Sequence, residues 1–174
     1  KETQRRHPEL SESEIETIAH QVTVGTLRYE MIKQDLDKII SFDLTKSLSL
    51  EGDTASYIQY AHARATRILE KSEKLVTIDV NFGLLSDLYE KELIKMIGLF
   101  DIQVIDAAKN LSPKVISRYC HDLAVAFNSF YEHVKVLGLD DNTLEDARLC
   151  LVNSFKNTLE KSLDILGISA PSKM

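Results

Sequence analysis

At 174 residues, 44% of them hydrophobic and 28% charged, the chain can bury one sizeable core and has the makeup of a folded globular protein. Only six glycines and three prolines punctuate it, which favours long helices, and no run of about 18 apolar residues is present to span a membrane. The formal net charge of −6 argues against a uniformly basic surface, but the deficit is local: residues 1–108 carry 13 Lys/Arg against 19 Asp/Glu, whereas residues 109–174 carry 8 against 8.

The first residues, Lys1-Glu2-Thr3-Gln4-Arg5-Arg6-His7-Pro8, lead into no apolar stretch and are no secretory signal. Without an initiator methionine, the chain is expected to be a piece of something longer. Ser11-Glu12-Ser13-Glu14 is a capping box, followed by Ile15, Ile18, Ala19, Val22, Leu27 and Met31 at helical spacing. This first helix is expected to bend or break at Val22–Gly25, where β-branched residues meet a glycine. From Leu36 to Leu50 the pattern is poor, and Ile39, Ile40, Phe42, Leu44, Leu48 and Leu50 suggest an extended or irregular packed segment. Asp53 or Thr54 caps a second helix from Ala55 to about Lys74. Tyr57, Tyr60, Ala61, Ala65 and Ile68 form its apolar side, and Arg64, Arg67, Lys71 and Lys74 its basic edge.

Asp79–Gly83 is a connection, and Ser86 a candidate cap for a third helix with the stripe Leu85, Leu88, Tyr89, Leu93, Met96, Ile97 and Phe100. That helix continues past a kink near Asp101 to Ala108. Pro113 opens a fourth, in the first turn, where its missing N–H costs nothing. Ile116, Tyr119, Cys120, Leu123, Phe127, Phe130, Tyr131 and Val134 share one face of it. After a loop at Gly138–Asn142, Asn142 and Glu145 are a plausible cap pair for a fifth helix with the stripe Leu144, Ala147, Leu151, Phe155, Leu159, Leu163 and Leu166. Gly167 can take the left-handed conformation that closes a helix, and Pro171 prevents its resumption, so the apolar tail Ile168–Met174 is expected to be held in place. The expected fold is all-α, a bundle of about five long helices with an irregular or extended segment near residues 37–50.

Cys120 and Cys150 lie within apolar stripes and read as small buried hydrophobes, and the five histidines show no metal-ligand spacing. No Gly-rich phosphate loop and no nucleophile elbow occur, so no catalytic residue and no metal ligand is assigned.

Four segments, in order, resemble the C-terminal region of arginyl-tRNA synthetases. One is Glu51-Gly52-Asp53-Thr54-Ala55-Ser56-Tyr57-Ile58-Gln59-Tyr60-Ala61-His62-Ala63-Arg64-Ala65. The next is Leu123-Ala124 followed by Phe127-Asn128-Ser129-Phe130-Tyr131. Then comes Asp146-Ala147-Arg148-Leu149, whose letters are displaced from the Asp-Ala-Leu-Arg that names the DALR anticodon-binding domains. Last is the ending Leu166-Gly167-Ile168-Ser169-Ala170-Pro171-Ser172-Lys173-Met174, similar to that family's Leu-Gly-Ile-x-Ala-Pro-x-x-Met. Cysteinyl-tRNA synthetases share the domain type, and a helical interaction module that has lost tRNA binding is a further alternative.

The resemblance implies a single helical anticodon-binding domain over residues 1–174. Residues 1–50 would be the helix and connection from a catalytic domain that this piece lacks, and 51–174 the bundle proper. The ATP-gripping His-x-Gly-His and Lys-Met-Ser-Lys motifs do not occur. The piece would then be inactive alone, with no cofactor of its own, while ATP and arginine are handled by the missing domain of a cytoplasmic arginine–tRNA ligase. Its partners would be tRNA-Arg and that catalytic domain, with no DNA and no membrane. By the same resemblance Tyr131 stacks on the anticodon, and Lys173 and Met174 lie beside it. The Met174 side chain would offer a soft apolar surface, and its main-chain amide and carboxylate would read base edges. Periodicity alone also permits a core role for Tyr131 and a merely sealing role for the tail. Arg64, Arg67 and Lys71 suit tRNA phosphates, or a solvated face paired with Glu70 and Glu73. Lys114 and Arg118 offer a further phosphate site of low specificity. Arg148 contacts phosphate or, preferably, pairs with Glu145 or Asp146.

Overall fold

The computed structural model describes residues 11–35, 38–40, 42–72 and 74–174. In chain order the helices are α1 (Glu12–Ile32), α2 (Leu44–Ser47), α3 (Ala55–Ser72), α4 (Leu88–Gly98), α5 (Phe100–Lys109), α6 (Lys114–His133) and α7 (Asn142–Ile165), with a 3-10 turn at Phe82–Leu84. Among the described residues no strand forms, and the architecture is the expected all-α bundle.

The amphipathic stripes explain the packing. α6 and α7 lie at the centre, with α3, α4 and α5 against α6, and α3 and α4 against α7. α1 rests on α3 and α6. Phe127 of α6 and Phe155 of α7 stack with ring centroids 3.9 Å apart and planes 2° from parallel, and both are fully buried. Leu123, Leu159 and Leu163 surround them without exposure. Cys120 and Cys150 are free buried thiols, and burial pushes the Cys120 pKa up, which leaves it an inert packing group.

α1 starts at the predicted capping box: Glu14 N donates to Ser11 Oγ, and Ser11 N donates to the Glu14 carboxylate at 2.9 Å. The expected break at Gly25 does not occur. A Cβ there would sit 2.8 Å from Gln59 Nε2 and 3.2 Å from Ile168 Cγ2, so the glycine permits close approach. The Tyr29 hydroxyl donates to Asp53 Oδ1 at 2.5 Å, and Lys33 Nζ to Asp53 O at 2.7 Å, so α1 is tied to the turn before α3. Thr54, not Asp53, supplies the α3 cap, with its Oγ1 accepting from Tyr57 N.

The irregular stretch before α3 is confirmed over residues 38–40 and 42–50, interrupted by the one-turn α2 that Asp43 caps; Leu36, where it was expected to begin, lies outside the described residues. It is not the packed segment expected: Ile39 is 99% exposed, and Phe42, Leu44 and Leu48 also face away from the core. Two caps shift by one residue. Asp87 rather than Ser86 caps α4, with Glu90 returning the bond to Asp87 N at 2.8 Å. Asp141 rather than Asn142 caps α7. The third helix is two helices, α4 and α5, that meet at Leu99, close to the kink expected near Asp101.

Glu145 is not the cap partner expected. Its carboxylate accepts from Leu139 N at 2.9 Å and pairs with Lys74 Nζ at 2.9 Å, which together hold its pKa below the ordinary value, the backbone bond first. A carboxylate depressed in the folded state binds fewer protons than when unfolded, so its stabilisation is present above its ordinary pKa of 4.5 and is lost as pH falls through the folded value. Glu145→Gln is therefore expected to lower stability at pH 7 and to flatten the acid limb of stability against pH, as read by urea unfolding. An unchanged acid limb would assign that loss to other carboxylates.

Candidate nucleic-acid interface

α7 closes at Gly167, which has φ 65°. Ile168 N donates to Leu163 O at 2.9 Å and Gly167 N to Asp164 O at 2.8 Å, the paired bonds of a Schellman cap. The chain then runs back along the bundle, as the apolar tail suggested. Ile168 is 2% exposed and Pro171 is buried. Arg28 Nη1 donates to Gly167 O at 2.7 Å, and Gln59 Nε2 to Ser169 O at 2.9 Å. His62 Nδ1 lies 3.0 Å from Pro171 O, and since a carbonyl only accepts, the ring proton is on Nδ1. Burial holds the His62 pKa below its usual value and keeps the ring neutral.

The tail delivers Ser172, Lys173 and Met174 to the edge of a cleft of about 740 Å³. One wall is α3, through Tyr60, Arg64, Arg67 and Lys71. The other is the end of α6 and the strand-like exit after it, through Tyr131, Val134, Lys135, Val136 and Leu137. Among the described residues, Arg64, Arg67, Lys71, Lys135 and Lys173 line the cleft with one acidic side chain, Glu70, in a chain of net charge −6. The basic footprint missing from the composition is concentrated here.

Arg64 is not a loose surface charge. Its guanidinium lies 4.3 Å from the Tyr131 ring centroid and 4.8 Å from that of Tyr60, and its Nη1 donates to Asn128 Oδ1 at 2.8 Å. This places a planar cation against two aromatic faces, a platform that suits a nucleobase. Tyr131 remains 43% exposed, with Phe127 behind it at 6.4 Å, so it sits at the core margin as expected. Arg67 and Lys71 are exposed on the rim beside Glu70; the Glu73 invoked as their other partner lies outside the described residues.

The remaining basic residues lie elsewhere. Lys114 and Arg118 stand at the start of α6, about 20 Å or more along the axis from Tyr131. Lys114 pairs with Asp35 at 2.6 Å, and the exposed Arg118 lies 3.9 Å from Asp122. Arg148 does not pair with Glu145 or Asp146. Its Nε donates at 2.7 Å to Glu90, a carboxylate only 1% exposed, and its Nη1 at 2.8 Å to Lys135 O. Arg148 thus neutralises a buried acid and braces the cleft wall from behind. Lys74, counted on the basic edge, is taken up by Glu145 and Asp146.

Sequence reasoning did not single out Tyr60 or Lys135. Tyr60 carried a signal, being one turn before Arg64 on a helix whose basic residues were recognised. Lys135 carried none, because its place depends on where the chain leaves α6.

Known proteins match this chain over nearly its whole length. The arginine–tRNA ligase of Methanothrix thermoacetophila is 40% identical over 173 residues, covering 99% of this chain and 31% of that protein. That of Methanobrevibacter smithii is 41% identical, with 99% and 30% covered. Among solved structures, Thermus thermophilus arginyl-tRNA synthetase superposes with a TM-score of 0.89 at 35% identity, covering 99% of this chain and 29% of that one. The Plasmodium falciparum arginyl-tRNA synthetase gives 0.85 at 28% identity, with 98% and 30% covered. The chain therefore spans about 30% of the length of the relatives it matches. Residues 58–174, which include both walls of the basic cleft and the docked tail, match the model of the DALR anticodon binding domain, and the chain belongs to that family.

Proposed function

We propose that the cleft between α3 and the end of α6 receives the anticodon loop of an arginine tRNA, and that the chain serves as the anticodon-binding part of an arginine–tRNA ligase. The observation that carries this reading is the convergence of five basic side chains, two tyrosines and the docked tail on one cleft in an otherwise acidic chain. Loop bases can unstack, lie on the Tyr131–Arg64 platform and be read along their edges by Lys173 and by the main chain of the tail. Arg67 and Lys71 on the rim suit the phosphates that flank those bases. Lys114 and Arg118 suit a second, distant phosphate contact on the stem. Arg148, committed to Glu90, is left out of the RNA surface.

Arginine activation with ATP and its transfer to tRNA then belong to the rest of the protein, in the cytoplasm. The relatives named above are all arginine enzymes, which favours this reading over the cysteine enzyme. The test is an electrophoretic shift at moderate salt with transcripts of arginine tRNA and of several other tRNAs. A preference for arginine tRNA, weakening steeply as salt rises, is expected. Equal affinity for all transcripts, or none, would leave only a helical interaction module.

A further inference from the structure

Three carbonyls of the tail are held, and they are alternate ones: Gly167 O by Arg28, Ser169 O by Gln59, and Pro171 O by His62, at 2.7, 2.9 and 3.0 Å. Ser169 O and Pro171 O, two residues apart, both turn to α3, whereas Gly167, in its left-handed conformation, presents its carbonyl to α1. The holders stand on two helices. Gln59 and His62 are one turn apart on α3, fully or almost fully buried. Tyr60, Arg64, Arg67 and Lys71 lie on a different face of the same helix, along the cleft. α3 therefore grips the tail with one face and lines the cleft with another. Ile168, buried between α1 and the core, anchors the start of the held segment.

We propose that Arg28, Gln59 and His62 are positioning residues for RNA recognition: by holding alternate carbonyls of residues 167–171 they set the register in which Ser172, Lys173 and Met174 meet the cleft. None of the three lines the cleft, so they reach it through the tail; Gln59 Nε2 also makes a longer contact, 3.4 Å, with Gln21 O of α1. A tail released from these side chains keeps its Schellman closure, which is made by backbone bonds to α7, but loses the fixed direction beyond Ser169. The proposal rests on the cleft being the anticodon site.

The test is a set of double-mutant cycles in the full-length protein. Fluorescence anisotropy reads the affinity for an anticodon stem-loop RNA of arginine tRNA and for the same stem with its three anticodon bases replaced. Gln59→Leu and His62→Leu are each expected to reduce the preference for the cognate loop about fivefold, the size of one hydrogen bond. His62→Asn, which keeps a donor near the place of Nδ1, should retain most of it. Arg28→Met, at an exposed position that leaves the core untouched, should lower it less. In a protein lacking residues 172–174 these substitutions should have no further effect, because residues acting through one element are not additive. Amide exchange of Ser169, Ala170 and residues 172–174 should accelerate in each single variant, while that of Ile168, held by the Schellman bond, should not.

Losses of equal size with and without residues 172–174 would overturn the proposal, as would faster exchange of the tail with an unchanged loop preference. If removing residues 172–174 changed nothing and replacing Tyr131 also changed nothing, the anticodon reading itself would fall. If only Tyr131 mattered, that reading would stand and the positioning role alone would fail. Arg28→Met and His62→Asn keep the cycle informative should either leucine variant fail to fold.

Discussion

Tyr131→Ala is expected to weaken binding of the arginine tRNA anticodon stem-loop by about 1–3 kcal/mol, roughly 5- to 150-fold, the worth of one base stacked on an aromatic ring. Two features of the site set this size. The ring is 43% exposed, so a surface is available, and Arg64 lies 4.3 Å from its centroid with its own orientation fixed by Asn128. Removing the ring therefore takes away one stacking surface and frees the guanidinium that shares it. Tyr131→Phe should retain most of the affinity, because the face rather than the hydroxyl stacks. Stability should fall by less than for a core ring, since Tyr131 is 43% exposed and keeps only a tilted contact with Phe127 on its inner side. Titration of the labelled stem-loop, with thermal melts of each variant alongside, checks both halves. An affinity loss in the alanine variant that merely tracks a lower Tm would assign Tyr131 to the core.

The largest stability effect is expected from Phe155→Ala, a loss of about 3–5 kcal/mol. Phe155 is fully buried and stacked on Phe127 at 3.9 Å in the α6–α7 interface, where every neighbouring stripe converges. Truncation removes the transfer free energy of the ring and leaves a cavity bounded by two rigid helices, which cannot collapse to fill it. For a chain of this length that corresponds to a drop of roughly ten degrees in Tm. Ile39→Ala, at a side chain 99% exposed, is the matched control and should change stability by less than about 0.5 kcal/mol. Urea unfolding of both variants decides the matter: a loss below about 1 kcal/mol for Phe155→Ala would mean that the interface repacks. RNA binding by the folded fraction of Phe155→Ala should weaken only as far as the tilt of α6 moves Tyr131.

Helix existence was legible because burial on one side of a helix imposes a 3.6-residue period, and the stripes through Phe127 and Phe155 are the ones that meet. The starts of α4 and α7 were legible to within one residue, because serine, aspartate and asparagine compete for the same cap and the pattern does not say which wins, as at Asp87 and Asp141. The close approach at Gly25 was not legible, for a different reason. A glycine that bends a helix and one that lets a neighbour approach look alike until Gln59 and Ile168 are placed against it. Ile39 and Phe42 were taken for packed residues because hydrophobicity says what a side chain would bury, not whether this chain supplies the surface.

The amino-acid pattern by itself determined an all-helical bundle, the closure of α7 at Gly167 and the presence of basic and aromatic residues on α3 and α6, since each of these follows from local periodicity and backbone chemistry. Only the tertiary structure decided which charges work together. It joined Arg64, Arg67, Lys71, Lys135 and Lys173 in one cleft, sent Lys114 and Arg118 to the far end of α6, and spent Arg148 on Glu90. The reason is electrostatic as much as geometric: a buried carboxylate such as Glu90 must find a cation wherever the fold supplies one, and it lies 58 residues away from the arginine it takes.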